Sequence, residues 1–362
     1  MVMNIAFLSI GVLRNPKESS RITLVGLAES MIKLGHSVVI ITERVEGLPK
    51  IEKVGNVVIS RPFKLGKIIS HVLAVRSAQR RLGQKFDVIH SFSATPLFVL
   101  SSLFSRSFAR KAKIFHTLRS YSRERFGNMG YFLLHFADAV SVHTQAFKDK
   151  ISSIKNVTVI RSPLRISTFF PRDKNNLKKE YGYKKETKII MNYGAVWENK
   201  GANNLIKAIP DLIKDDPTLF FLFLPRYTNI DTQLQLVKQL GVGKHVQFII
   251  DDVKIEEYVN VADLIVLPYV NLLGTEGNPS CLLEAMACKT PVVTTNIPEL
   301  REIAENCVFM AKPGDVDSLI ETIKFALKNP SSEMVGRAYQ KSKEFDMERI
   351  GEEFIRLYQS TF

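Results

Sequence analysis

Short unbroken apolar runs alternate along the chain with stretches whose apolar positions recur at helical spacing. In the first half the runs are NIAFLSI (4–10), SVVIIT (37–42), VVIS (57–60), DVIH (87–90), KIFH (113–116), AVSVH (139–143) and VTVI (157–160). Helical periodicity fills 20–34, where Gly35 ends it, and returns from about Lys67 to Leu82. The second half repeats the scheme with KIIMNYG (188–194), LFFLFL (219–224), HVQFII (245–250), LIVLPY (264–269), PVVTT (291–295) and CVFM (307–310), and a helix starts near Gly201. Unbroken apolar strands belong to sheets buried on both faces, so the alternation predicts parallel sheets made of βαβ units. Between the two series, 162–188 is rich in Pro and Lys and has no period. The expected architecture is α/β: two doubly wound parallel-sheet domains, 1–165 and 166–345, facing a central cleft, with a Phe- and Tyr-bearing helix in 346–362.

In open parallel sheets ligands sit beyond the carboxyl ends of the strands, so the residues just after each strand are where chemistry is expected. With 45% hydrophobic and 24% charged positions among 362, the chain is globular, not disordered or fibrous. No apolar stretch approaches the ~18–20 residues that span a bilayer. The opening MVMNIAFLSIG has no basic region ahead of its apolar run, the pattern of a buried first strand and not of a signal peptide. Cys281, Cys288 and Cys307 form no disulfide framework, which points to a reducing cytosol. No His, Cys or acidic cluster has metal-ligand spacing, so no metal is expected.

Charge is unevenly divided. Residues 1–165 hold 26 Lys and Arg against 9 Asp and Glu, net +17, whereas 166–362 hold 24 against 27, net −3. Within 61–125, 14 basic residues meet only Asp87 and Glu124. Such a one-sided field suits an anionic partner, whether a membrane surface, a phosphorylated acceptor or nucleic acid, and it is equally the charge of a well-solvated surface. No recognisable nucleic-acid-binding module accompanies it, so nucleic acid is not expected as a partner.

The strongest local signal lies in 261–303. After LIVLPY a loop leads to Thr275-Glu276-Gly277-Asn278-Pro279, and a helix follows through Leu282, Leu283 and Met286. Asn278 is a natural N-cap, Pro279 suits the first helical position and Gly277 permits close approach, so the N–H groups at this helix start form an anion site. Glu284 lies about one and a half turns into the helix, and Glu276 lies in the loop before it. A phosphate repels carboxylates, so two of them beside an anion site suit a diphosphate flanked by two polyols, as in a nucleotide sugar.

Glu276 and Glu284, followed by Ala285-Met286-Ala287 and Pro291-Val292-Val293, resemble the EX7E signature of retaining glycosyltransferases of family 4, whose GT-B fold pairs two Rossmann-like domains. GHSVVIIT (35–42), DVIH (87–90), KIFHT (113–117), ENKG (198–201) and AKPGD (311–315) are similar to further stretches of that family. The resemblance implies that Glu276 contacts the hydroxyls of the transferred sugar, that Glu284 binds the ribose diol, and that Gly277, Asn278 and Pro279 set backbone N–H groups against the diphosphate. It implies that Lys200 neutralises the departing diphosphate and that His116 lies near the donor sugar. Taken alone, His116 is also a strand-end histidine bonded to backbone, and His90 more so. The arginine that the family places after its strand glycine is missing: Gly194 is followed by Ala195, and Arg226 is the candidate to supply that charge. Pro298-Glu299 replaces the family's Gly-Gly, with Glu302 in the place of its later glutamate. Gly11 and Ser19-Ser20 are a thin counterpart of its glycine-rich turn.

The resemblance therefore implies a retaining hexosyltransferase with a UDP- or GDP-linked donor, no cofactor or metal, and a lipid-linked or glycan acceptor. Its acceptor domain is expected to be the basic one. Arg76, Arg80 and Arg81 on one helix, with Arg106, Arg110, Lys111 and Lys113 after another, suit contact with an anionic membrane at its cytoplasmic face. The same pattern fits helices with one face in the core and one in water. The last helix is expected to return to the first domain. Asp215-Asp216 and Asp251-Asp252 are expected to be a turn and a strand-end helix cap, not metal ligands. A GT-B epimerase or phosphorylase, or a nucleotide-sugar-binding protein without catalysis, stays open as an alternative. A nicotinamide dehydrogenase does not, because no GxGxxG follows the first strand.

Overall fold

The computed structural model describes residues 1–9, 12, 19–64, 69, 72–93 and 95–362, with backbone alone at 19–22 and 123–125. Gly11 and the beginning of the helix expected from Lys67 lie outside the described residues. The chain forms two compact units. Unit 1 is Met1–Pro163 with Leu273–Gly277 and Asp346–Phe362, and unit 2 is Leu164–Leu272 with Asn278–Phe345.

Unit 1 is built on β1 (Asn4–Leu8), β2 (Ser37–Glu43), β3 (Ile51–Val54), β4 (Val57–Phe63), β5 (Val88–Phe92), β6 (Lys113–Thr117), β7 (Ala139–Val142) and β8 (Val157–Val159). They form one sheet in the order β3-β4-β2-β1-β5-β6-β7-β8. Neighbours run parallel except β3, which pairs antiparallel with β4 and departs from the uniform parallel sheet expected. The reason is legible afterwards: IEKV alternates exposed and half-buried positions, so this edge strand has no unbroken apolar run to announce it. Of the helices, α1 (Ser19–Lys33) packs beside β2, and α2 (Ala74–Leu82) buries Ala74, Val75 and Ala78 while exposing Arg76, Arg80 and Arg81.

The helix Met347–Gln359 completes the core of unit 1. Its Ile350, Phe354, Ile355 and Tyr358 are buried in one cluster with Phe7, Leu24, Leu27 and Phe115. A polar relay runs through that cluster. The Tyr358 hydroxyl meets His90 Nδ1 at 2.6 Å, His90 Nε2 meets Thr117 Oγ1 at 2.7 Å, and Thr117 Oγ1 meets Ser141 Oγ at 2.6 Å. Stacked on Phe92 at 4.0 Å between ring centroids, His90 is a core residue. Tyr358→Phe leaves its Nδ1 buried and unpaired, and is expected to cost ~1–3 kcal/mol in urea unfolding.

Acid should weaken unit 1 as well. Burial, above all, holds His90 well below the ordinary 6.5 and His116 down to about 3. Below pH ~6.5 the unfolded chain takes up protons that these native rings refuse. Their contribution is whole above that pH and is lost as pH falls below it, for His116 down to about 3, by up to ~1.4 kcal/mol per pH unit for each ring. Unfolding followed at neutral pH and at about pH 5 measures the slope.

Unit 2 is built on β9 (Lys188–Gly194), β10 (Leu219–Pro225), β11 (Val246–Phe248), β12 (Leu264–Val266), β13 (Val292–Thr295) and β14 (Phe309–Ala311), in the order β11-β10-β9-β12-β13-β14. All its neighbours are parallel. The stretch 162–188 is not structureless: it holds a helix, Lys174–Glu180. Only Leu177 and Lys178 of that helix are buried, too few to show a period. Lys178 Nζ is fixed by Asp263 Oδ2 and the Thr187 carbonyl, each at 2.7 Å. Asp215 and Asp216 do not form the expected turn but end the helix Ala202–Asp215, Asp216 at its C-cap, and pair with Lys324 and Lys188 at 2.7 Å each. The pair Asp251-Asp252 is no helix cap, because the N-cap position of the helix Ile255–Val261 is Lys254 and no side chain caps it.

Candidate active site

In unit 2 three strand ends converge. Strand β9 closes on Gly194, whose φ of +109° suits only glycine, and an added Cβ would lie 3.4 Å from Cys281 Sγ. Pro225 is in register with Gly194, and the Arg226 N–H donates to the Gly194 carbonyl at 2.9 Å, so Arg226 lies directly beside the end of β9. From Gly194 the chain passes through a 3₁₀ turn, Glu198–Lys200, into the helix Ala202–Asp215. The Lys200 ammonium lies 4.7 Å from the centroid of the Tyr269 ring, which follows β12.

The helix expected after Pro279 is Ser280–Ala287. Its cap position is Pro279 (φ −65°, ψ 126°), one residue later than the expected Asn278, and no side chain caps it. Proline has no N–H, so Pro279 cannot donate to a diphosphate; the donors at this end belong to the first helical turn from Ser280 onward. The Asn278 side chain is wholly buried, and neither Oδ1 nor Nδ2 has a hydrogen-bond partner. The Tyr193 hydroxyl donates to the Cys281 carbonyl at 2.7 Å, tying β9 to this turn. Burial first, and Glu284 second, push the Cys281 thiol up to about 12, while Lys200 and Arg226 act in the opposite sense. One thiol thus feels both cations and the buried Glu284. The structure brings Gly194, Lys200, Arg226, Asn278, Pro279 and Glu284 together around the start of this helix.

Glu276 and Gly277 belong to unit 1, which the sequence did not foretell. The Gly274 N–H donates to the Tyr121 carbonyl at 3.0 Å, Ser120 and Glu276 form an antiparallel bridge, and Arg119 Nη2 donates to Glu276 Oε1. Arg119 went unnoticed in the sequence although it stands two residues past the end of β6, where strand ends direct attention. His143, after β7, bonds the Ile160 carbonyl through Nδ1 at 3.1 Å. Burial lowers its pKa, and it feels the charges of both Glu276 and Arg119. His116 is buried with both nitrogens engaged, Nδ1 with Ser91 Oγ at 2.7 Å and Nε2 with the Ser93 carbonyl at 3.0 Å. To meet a sugar hydroxyl, His116 has to release one of these.

Among the described residues no group of three or more His, Cys, Asp or Glu side chains is arranged to hold a metal ion. No helix among them is long and apolar enough to cross a membrane. Chemically, two cations at a helix start stabilise an anion, and the buried carboxylate in that helix accepts hydrogen bonds from hydroxyl groups.

Two parallel-sheet α/β units with their polar groups gathered at strand ends define the GT-B fold of glycosyltransferases. The crystal structure of Anabaena HepE in complex with UDP matches it with a TM-score of 0.79 at 18% identity, covering 99% of this chain and 100% of that one. Residues 173–345 match the family model of glycosyl transferases group 1, and residues 21–165 match that of glycosyltransferase family 4. The chain is a glycosyltransferase family 4-like protein. It is 23% identical over 270 residues to N-acetyl-alpha-D-glucosaminyl L-malate synthase of Bacillus anthracis, across 70% of this chain and 69% of that protein. It is 24% identical over 333 residues to the GPI3 subunit of phosphatidylinositol N-acetylglucosaminyltransferase of Saccharomyces cerevisiae, across 83% of this chain and 70% of that protein.

Proposed function

We propose that this chain is a retaining hexosyltransferase that moves a sugar from a nucleoside-diphosphate donor to a lipid-linked or glycan acceptor at the cytoplasmic face of an anionic membrane, without a metal. The observation that carries this is the placement of Lys200 over Tyr269 and of Arg226 at the end of β9, where Gly194 meets Cys281 in the first turn of the helix from Ser280, with Glu284 buried in that helix. Breaking a glycosyl–phosphate bond leaves positive charge on the sugar and negative charge on the diphosphate. The two cations and the first-turn N–H groups oppose the second charge, and preorganised electrostatics of this kind is usually the largest catalytic term. Arg226 supplies from β10 the charge that Ala195 does not. Glu284 accepts the ribose hydroxyls, and Glu276 faces the hydroxyls of the transferred sugar. Retention by double displacement requires a carboxylate nucleophile. Glu276, paired with Arg119, is a poor one, which favours substitution on the face that the leaving group vacates. Support for the donor class comes from the neighbour solved with UDP, and support for a lipid acceptor from the relative named for phosphatidylinositol.

A melting panel with UDP-, GDP- and ADP-sugars tests the donor. One base is expected to raise the melting temperature: at a hundred times Kd the gain is ~2.7 kcal/mol, about 5–10 °C for a unit of this size. Nucleotide release should then depend on added acceptor. A panel without any shift, or a shift that survives removal of both Lys200 and Arg226, overturns the assignment.

A further inference from the structure

Two exposed apolar stripes in unit 1 take no part in the chemistry above. On α3 (Pro96–Phe104), Leu100 and Phe104 stand one turn apart, 41% and 44% exposed, while Phe98 and Val99 are buried. On α4 (Arg123–Leu134), beyond its kink at Gly127, Met129 and Phe132 are 66% and 57% exposed, and Phe136 continues the stripe past the helix end at 49%. Phe126 and Leu134 are buried on the other side. The two helices pack against each other, and Phe132 meets Phe136 edge to face at 5.3 Å between centroids. Large apolar side chains gathered in this way on a surface mark an interaction site.

The charge around them points to the partner. The segment leaving α3 exposes Arg106, Arg110 and Lys111, and between residues 88 and 148 the only acidic positions are Glu124 and Asp138. Asp138 is already paired with Arg106 at 2.8 Å. Aromatic and Met side chains rimmed by cations match an interface with apolar chains below and phosphates above.

We propose that α3 and α4 form the face that docks on an anionic lipid bilayer, with Leu100, Phe104, Met129, Phe132 and Phe136 entering the acyl boundary and Arg110 and Lys111 meeting headgroup phosphates. The proposal rests on the membrane assignment made above and moves the contact away from α2, whose three arginines cover a helix that already spends its apolar side on the core.

Sedimentation of the full chain with vesicles tests it, using phosphatidylcholine alone and phosphatidylcholine with one third phosphatidylglycerol. Binding is expected to the anionic vesicles and to fall with salt. Replacing Phe132 and Phe136 together by Ser should weaken it about tenfold or more with the melting temperature kept. Arg80→Glu with Arg81→Glu should have a small effect. As a direct measure of depth, Phe132→Trp in a Trp197→Phe background gives a single tryptophan, whose emission should shift to the blue and be quenched by brominated lipid tails. If the wild-type chain binds no vesicle, the membrane assignment fails and this face with it. Binding that survives the double Ser variant, or an unquenched tryptophan, overturns the face and leaves the membrane assignment standing. A dimer of the wild-type chain that the same double variant splits makes the stripes a self-association surface and also overturns it.

Discussion

Glu276→Gln is expected to abolish transfer while leaving nucleotide binding nearly intact, whereas Lys200→Ala weakens both. The contrast comes from where each charge acts. Glu276 is held by Arg119 in unit 1 and Lys200 belongs to unit 2; on the proposed reading the neutral amide disturbs the sugar and not the diphosphate. In the proposed mechanism Lys200 acts on the leaving group, whose charge is partly present in the bound donor and fully developed at the transition state. Removing a preorganised contact of that kind typically costs ~3–4 kcal/mol, about 10²–10³ in kcat, with a smaller loss in affinity. Steady-state kinetics with the donor identified by the melting panel, together with calorimetric binding of the bare nucleotide, separate the two effects. Activity retained in Glu276→Gln refutes its role at the sugar.

The second large effect is on folding. Gly201 has φ +74°, and an added Cβ would lie 1.8 Å from the Pro268 carbonyl oxygen and 2.8 Å from its carbon. Both obstacles are backbone, so no side chain can swing away. Gly201→Ala must push apart the start of the helix Ala202–Asp215 and the chain leaving β12, and Lys200 with them. A cost of ~3 kcal/mol or more is expected, a fall of about 6–12 °C in melting temperature, with loss of nucleotide binding. Gly241→Ala is the control: its φ is +67° with nothing within 4 Å of the added Cβ, so only the left-handed backbone is strained, at ~1–2 kcal/mol. Equal losses in the two variants would show that the Pro268 contact yields.

Much of the fold was legible because strands buried on both faces announce themselves: LFFLFLP is buried at all but one position. What escaped was structure with few buried positions. The edge strand IEKV is half wet, and the helix Lys174–Glu180 buries two residues among charges. Lys200 and Arg226 were reached through the resemblance to family 4, and Glu284 also from its place in the helix; the fold gathers the three. Arg119 was not, because its meaning depends on a partner 157 residues away. The cap was misplaced by one residue: Asn is a good cap by propensity, yet the following proline holds φ near −65° with an extended ψ and takes the position itself. No local signal disclosed that Leu273–Gly277 and the rest of its motif divide between two units.

The helix Met347–Gln359 has a consequence for biosynthesis. The residues that fill the core beside β1 and α1 are made more than 180 positions after Pro163, where the first stretch of unit 1 ends. At ~5–20 residues per second, a ribosome needs about 10–40 s to cover that distance. Throughout that delay the nascent sheet presents the apolar bed of Phe354 and Tyr358 uncovered, a ready target for chaperones, while unit 2 emerges and is able to fold first.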